Sequence, residues 1–221
     1  LKYLYNQFIG GKTGQQDFFD AAIELLQLNV RFDQTKLNQV PKDSPVVFIA
    51  NHPYGVLDGI VLTWLARKAR PEVKVLANHV LCQAPDAAGN LLPVDFSGTE
   101  TARQTNIDTR KQAMQALKSN ASVGIFPAGA VAVSEKPHKG PALDISWHPF
   151  ATKLIKMSGA TVVPIYFGGQ NSRLFQMVSH FSSTLRLGLF FFETARRIGS
   201  EFVLVFGEPI TPEEIAKIAR R

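Results

Sequence analysis

The sequence predicts an α/β fold, a mostly parallel central sheet flanked by helices, and three observations carry that reading. Short apolar runs alternate with helical stretches along the chain. Those runs are continuous rather than alternately polar, and Gly, Pro and Asn gather where several of them end. A continuous apolar run is what a strand buried on both faces needs, and strands alternating with helices give a sheet covered on its two sides.

The elements follow in order. The first ten residues, LKYLYNQFIG, are aromatic and apolar and read as the end of a helix stopped by Gly10 and Gly11. Asp17 to Leu28 spaces Phe18, Ala22, Leu25 and Leu26 at helical intervals, so residues 1–32 form an N-terminal segment of amphipathic helices. Tyr3, Tyr5 and Phe8 turn its first part toward a membrane interface. Val46 to Ala50 is a buried strand ending at Asn51-His52, and a Pro53-Tyr54-Gly55 turn leads into a helix through Ile60, Leu62, Leu65 and Ala66. Lys74 to Ala77 is the next strand. Gln83 to Gly98 reads as a loop, and a polar helix runs from about Thr101 to Leu117.

Val123 to Phe126 is a third strand, ending at Pro127-Ala128-Gly129 and followed by a polar loop. Pro149 to Met157 is helical, and Thr161 to Phe167 is a strand with Pro164 inside it. Ser182 to Arg197 is an apolar helix with a basic tail. Its Leu187 to Phe192 run reads first as core and second as membrane interface. Phe202 to Phe206 is a strand, and Thr211-Pro212-Glu213-Glu214 starts a last helix, with Thr at the cap and Pro at the first position. In a parallel sheet ligands lie beyond the carboxyl ends of the strands. Asn51-His52, Pro127-Ala128-Gly129 and Gly168-Gly169-Gln170 all fall there, on one rim.

Bulk properties narrow the classes. The 221 residues show no linker and read as one domain over 1–221, with 45% hydrophobic residues to supply a core. The formal charge of +6 and pI near 9.5 favour anionic partners such as a lipid surface or an acidic carrier protein. Basic residues are dispersed, and no dense run suggests nucleic acid. Arg67-Lys68-Ala69-Arg70 and Arg196-Arg197 sit at the ends of apolar helices, a placement that suits a membrane-facing surface. The single cysteine, Cys82, precludes an intrachain disulfide, points to a reducing compartment and reads as a small hydrophobe. No run approaches the length of a membrane span. The chain starts at Leu1 without Met, which leaves room for a trimmed leading segment or anchor. His79, His138, His148 and His180 lack metal spacing, so no metal is expected. Neither a Gly-x-Ser-x-Gly, a P-loop nor a Gly-x-Gly-x-x-Gly occurs.

His52 and Asp58 carry the chemistry. A neutral imidazole accepts a proton from a hydroxyl, and a carboxylate behind it fixes the tautomer and stabilises the imidazolium. In a continuous helix six residues would separate the two side chains by about 120°. With His52 in the loop and Asp58 in the first helical turn, the chain can fold back and join them. The plain alternative is a capping His and a first-turn acid facing the helix dipole.

The string NHPYGVLD, Asn51 to Asp58, resembles the first motif of the lysophospholipid acyltransferase family, the PlsC-like glycerolipid acyltransferases, with one residue more between His and Asp. FPAG at Phe126 to Gly129 resembles its third motif and VVPIYFGG at Val162 to Gly169 its fourth, in the family's order from about Val46 to Ile210. NHPYGVLDG, FPAG and GQNSRLFQ look most like the bacterial branch of ornithine-lipid and related aminolipid O-acyltransferases and hemolysin-like proteins.

The resemblance implies a glycerolipid acyltransferase-like fold. It makes His52 general base and Asp58 its partner, with substrate bound around Asn51, Tyr54, Gly55, Phe126, Pro127, Ala128 and Gly129. Arg103 falls near the family's phosphate-binding second motif, and Lys74 and Arg173 are further basic candidates. Ala128 stands where the family has a Glu that helps place the headgroup, so that contact is missing or Glu135 supplies it, which makes an aminolipid acceptor more plausible than lysophosphatidate. Asp144 with Trp147 and His148 reads as headgroup-pocket wall or as structure. The implied activity is O-acyl transfer from an acyl carrier protein or coenzyme A thioester to a lyso-lipid, without a cofactor. The implied place is the periphery of the cytoplasmic face of a bacterial inner membrane. Two other readings stay open: a hydrolase with the same His–Asp pair, and a non-catalytic lipid-binding module.

Overall fold

A computed structural model describes residues 17–83 and 85–218 of the chain. Asp17 caps the first helix, α1 (Phe18–Leu25), by accepting from the Phe19 N–H, as a short carboxylate does where first-turn donors lack partners. Next come β1 (Asn29–Arg31), a short α2 (Gln34–Asn38), β2 (Val46–Ala50) and α3 (Val56–Ala69). β3 (Val73–Asn78) leads through a short α4 (Pro85–Ala88) to β4 (Leu91–Val94) and the long α5 (Glu100–Lys118). β5 (Ser122–Ile125) leads through a hairpin, β6 (Val133–Lys136) and β7 (Lys139–Leu143), to α6 (Pro149–Ser158) and β8 (Thr161–Phe167). The last described elements are α7 (Arg173–Phe181), α8 (Ser183–Arg196), β9 (Glu201–Phe206) and α9 (Pro212–Ile218).

The sheet runs β1-β9-β8-β2-β5-β3-β4. From β8 to β4 the pairings are parallel, whereas β9 lies antiparallel to β8 and β1 parallel to β9. Residues of β2 alternate between two cores. Val46 and Phe48 face Leu57, Val61, Leu62 and Leu65 of α3, while Val47 joins Ala113 and Leu117 of α5 and Leu154 of α6. Each such leucine, fully buried, contributes about 1.5–3 kcal/mol. These layers hold the middle of the sheet rigid, so the loops at its carboxyl end project from fixed points.

Several expectations change. Residues 1–16, with the membrane-facing reading of Tyr3, Tyr5 and Phe8, lie outside the described residues. Residues 17–32 are not helical throughout, because Asn29–Arg31 pairs with β9. The Gln83–Gly98 loop contains α4 and the edge strand β4, and the polar loop after Gly129 is the β6–β7 hairpin. Coverage on both faces fails toward β9, where Val203, Val205 and Tyr166 stay exposed. The Leu187–Phe192 run is not core either: Leu187, Phe191 and Phe192 are open to solvent.

The basic cluster at the end of α3 is largely engaged. Buried Arg70 donates to the carbonyls of Ser44 and Asn120, Arg67 pairs with Asp17 at 2.7 Å, and Lys68 lies over the Trp64 ring. Helix α9 starts as expected, with the Thr211 N–H donating to the Glu214 carboxylate and the Glu214 N–H to the Thr211 hydroxyl. Among the described residues no helix is long and apolar enough to cross a membrane.

Candidate active site

β8, β2 and β5 are neighbours, so their carboxyl ends bring Gly168-Gly169, Asn51-His52 and Phe126–Gly129 together. Asn51 prolongs the β2–β8 ladder with its side chain. Its amide donates to the Phe167 carbonyl at 3.0 Å and its oxygen accepts from the Phe167 N–H at 2.7 Å. With both ends held by backbone, Asn51 fixes where His52 emerges and has little left for a substrate.

The turn after His52 folds back on the start of α3. Asp58 Oδ2 accepts from the Tyr54 N–H at 2.7 Å and the Gly55 N–H at 2.9 Å, and lies 3.0 Å from His52 Nδ1. The extra residue in the motif is therefore taken up by the turn, and the two side chains meet. Gly55 makes this possible in two ways. Its φ of +81° suits glycine alone, and a Cβ there would come within 2.6 Å of the Phe190 ring.

Asp58 is wholly buried, and burial pushes its pKa above the ordinary carboxylate value, against the pull of His52 and the two N–H donors. His52 keeps 17% of its side chain exposed, and its ring stacks on Phe126 with centroids 4.1 Å apart. With Nδ1 turned to Asp58, Nε2 remains to exchange a proton with a substrate.

The backbone of His52 is clamped as well. Its N–H donates to Asp144 Oδ1 at 3.1 Å, and its carbonyl accepts from the Ala132 N–H at 2.8 Å. Burial raises the pKa of Asp144 too, opposed by the His52 N–H and imidazole. Asp144 thus enters the site through the loop after β7, a role that polar sequence gave no sign of beyond the Asp144-Trp147-His148 cluster. The hairpin bearing it is tied down from α7 and the segment before it: Gln176 accepts from the Ser134 N–H at 2.8 Å and Gln170 from the Ala142 N–H at 2.9 Å.

The remaining candidates divide. Ala128 is buried behind the FPAG turn, and the Gly129 N–H is bonded to the Phe126 carbonyl. The His148 N–H holds the Pro127 carbonyl at 2.8 Å, tying the turn to the start of α6. Tyr54 is core: its hydroxyl donates to the Gly168 carbonyl at 2.8 Å and the Arg197 guanidinium lies 4.3 Å over its ring. Glu135 lies exposed on β6, and the acid that holds the His52 N–H is Asp144. Arg103 is exposed on α5, 3.7 Å from Glu100, and Arg173 donates to the Gly140 carbonyl at the hairpin turn. Lys74 donates to the Gly89 carbonyl. A cleft of about 550 Å³ along α6, between Trp147, Lys153, Lys156 and Met157, includes none of these side chains. No cluster of metal-ligating side chains occurs among the described residues.

Known proteins resemble this chain in sequence and in fold. The sequence model of the acyltransferase family matches residues 31–168, which span the site from before β2 to the end of β8. The lyso-glycine lipid O-acyltransferase of Bacteroides thetaiotaomicron is 28% identical over 203 residues, covering 88% of this chain and 70% of its own. That of Phocaeicola vulgatus is 26% identical over 202 residues, covering 88% and 68%. In fold, the chain is similar to the crystal structure of the 1-acyl-sn-glycerophosphate acyltransferase PlsC from Thermotoga maritima. The TM-score is 0.55 at 18% identity, over 92% of this chain and 72% of that one.

Proposed function

This chain belongs to the acyltransferase family, and we propose that it moves a fatty acyl group from an acyl thioester to the hydroxyl of a lyso-lipid, with His52 as general base. The observation that carries this is the 3.0 Å contact between His52 Nδ1 and the buried Asp58 at the end of β2. The acceptor hydroxyl gives its proton to His52 Nε2 while its oxygen attacks the thioester carbonyl. The tetrahedral oxyanion then collapses, the C–S bond breaks, and the imidazolium returns the proton to the departing thiolate. Asp58 holds the ring and offsets its positive charge throughout. No resident cofactor is needed; the donor is an acyl carrier protein or coenzyme A thioester.

A lyso-aminolipid is the acceptor we favour, with a lysophospholipid second. The two relatives named as lyso-glycine lipid O-acyltransferases support that order, as does an alanine at position 128 in place of the motif's carboxylate. The enzyme works at the periphery of the cytoplasmic face of a bacterial inner membrane.

The test offers lyso-glycine lipid, lyso-ornithine lipid and lysophosphatidate with each donor and identifies the products by mass. Acyl transfer to a lyso-aminolipid is expected, and His52→Ala should lower kcat by about 10²–10⁴-fold in a protein that stays folded. Thioester consumption that needs no acceptor would make the protein a hydrolase, and full activity in His52→Ala would remove the base assignment.

A further inference from the structure

We infer that the α7–α8 helical hairpin is a docking surface for a bilayer bearing anionic headgroups. The inference rests on the lyso-lipid reading above only in that such a substrate resides in a bilayer.

On α7, Leu174, Met177 and Phe181 follow one another at spacings of three and four, which places them on one face. On α8, Leu185, Leu187 and Phe191 are open to solvent, while Glu193 and Thr194 are buried. All six are exposed, Phe181 to 82%, Phe191 to 67% and Leu185 to 64%. A helical hairpin with that much open apolar surface calls for a partner.

Charge identifies the partner. Residues 173–197 contain Arg173, Arg186 and Arg196, besides Arg197 turned inward over Tyr54, against the single acid Glu193, and Glu193 is buried, accepting from the Ser172 N–H at 3.1 Å. Nothing negative therefore faces outward from the hairpin. The guanidinium of exposed Arg196 lies 5.8 Å over the ring of Phe192, itself open to solvent. Apolar side chains with arginines beside them are the composition of an interfacial helix on anionic lipid. A protein partner of opposite charge would meet the arginines but would not by itself need the phenylalanines.

Position links the surface to the chemistry. α8 lies behind the catalytic turn, with Phe190 against Gly55 and also 5.2 Å from Phe175 of α7. A bilayer seated on the hairpin therefore lies one helix away from His52. The hairpin falls beyond the 31–168 segment that matches the acyltransferase family.

The full chain is sedimented with phosphatidylcholine vesicles, with and without roughly one-third phosphatidylglycerol. Preference for the anionic vesicles is expected, with Phe181→Ser/Leu185→Ser/Phe191→Ser weakening binding by about ten-fold or more. Arg196→Glu should weaken it by about five-fold or more and flatten its salt dependence. Phe181→Ser alone, at the most exposed position, keeps the test open if the triple variant misfolds. Turnover of a short-chain, monomeric acceptor should be unchanged in these variants, while turnover of acceptor held in vesicles falls. Vesicle binding equal to the parent in every variant would overturn the inference, as when residues 1–16 do the docking. A dimeric parent that the triple variant turns monomeric without loss of vesicle binding would overturn it too. Lost vesicle binding in a protein that acylates nothing leaves the docking surface standing and removes only the lyso-lipid reading.

Discussion

Three donors converge on a single oxygen of Asp58: the imidazole of His52 and the backbone N–H groups of Tyr54 and Gly55. The other oxygen is buried without a partner. That asymmetry makes Asp58→Asn an informative change, because an amide oxygen in the place of Oδ2 keeps all three hydrogen bonds and the tautomer of His52. Only the charge opposite the imidazolium is lost. In a serine-protease triad the corresponding change costs about 10⁴-fold because it leaves the histidine in the wrong tautomer. Here Asp58→Asn should cost on the order of 10²-fold in kcat, and Asp58→Ala about ten-fold more by freeing the ring as well. Equal rates in the two variants would mean that orientation contributes nothing. At this scale the sequence was informative about His52 and Asp58, since NHPYGVLD names both. It offered Asp144 only as pocket wall or structure, because the contact with the His52 N–H spans 92 positions and depends on where a hairpin folds. Asn51 and Tyr54 were legible as site neighbours but not as scaffold, because only the fold shows their polar atoms bonded to the end of β8.

The elements most easily read were those with strong local signals: apolar β2 and β8, and the last helix with its cap residue Thr211. β4 was hidden because Pro93 reads as a breaker, yet at the sheet edge a missing N–H costs no interior ladder bond. The β6–β7 hairpin was hidden for another reason. Its turn at Pro137-His138 lacks the Asn-Gly or Gly-x pairs of tight hairpins, and its strands are held by side chains far away in sequence. Gln176 is the main such tie: it is fully buried and accepts from the Ser134 N–H. Gln176→Leu leaves that donor unpaired and should destabilise the protein by about 1–3 kcal/mol. It should also loosen the Ala132 and Asp144 contacts to His52, so that kcat falls further than the folded fraction does. Gln176→Glu keeps the acceptor and should restore most of the lost rate. Denaturant unfolding read alongside single-turnover rates checks this, and a rate that simply follows the folded fraction would show the hairpin to be passive.

For the whole molecule, continuous apolar runs foretold the parallel middle of the sheet, but not the reversal at β9 and β1. A strand's direction is set by its connection, and the α7–α8 hairpin returns the chain to the edge the opposite way round. The same global fold distributes the carboxylates into two groups with opposite responses to acid. Burial raises the pKa values of Asp58 and Asp144 at the site. The stability this confers is complete below their unfolded pKa and is lost as pH rises through the folded one, so acidification does not unfold the protein through them. Exposed Asp33 and the half-buried Asp95 and Asp108 are held low by hydrogen bonds, chiefly from Thr35, Ser97 and Gln104. Their stabilisation is present above the unfolded carboxylate pKa of about 3.9 and is lost as pH falls through the lowered values. Activity has a different limit, because Asp58, its pKa raised by burial, no longer offsets the charge of an imidazolium once it has taken up a proton. Between neutrality and about pH 4, kcat/KM should therefore fall reversibly while the urea midpoint holds or rises slightly. If the midpoint falls together with kcat/KM across that range, acid is undoing the fold rather than protonating Asp58.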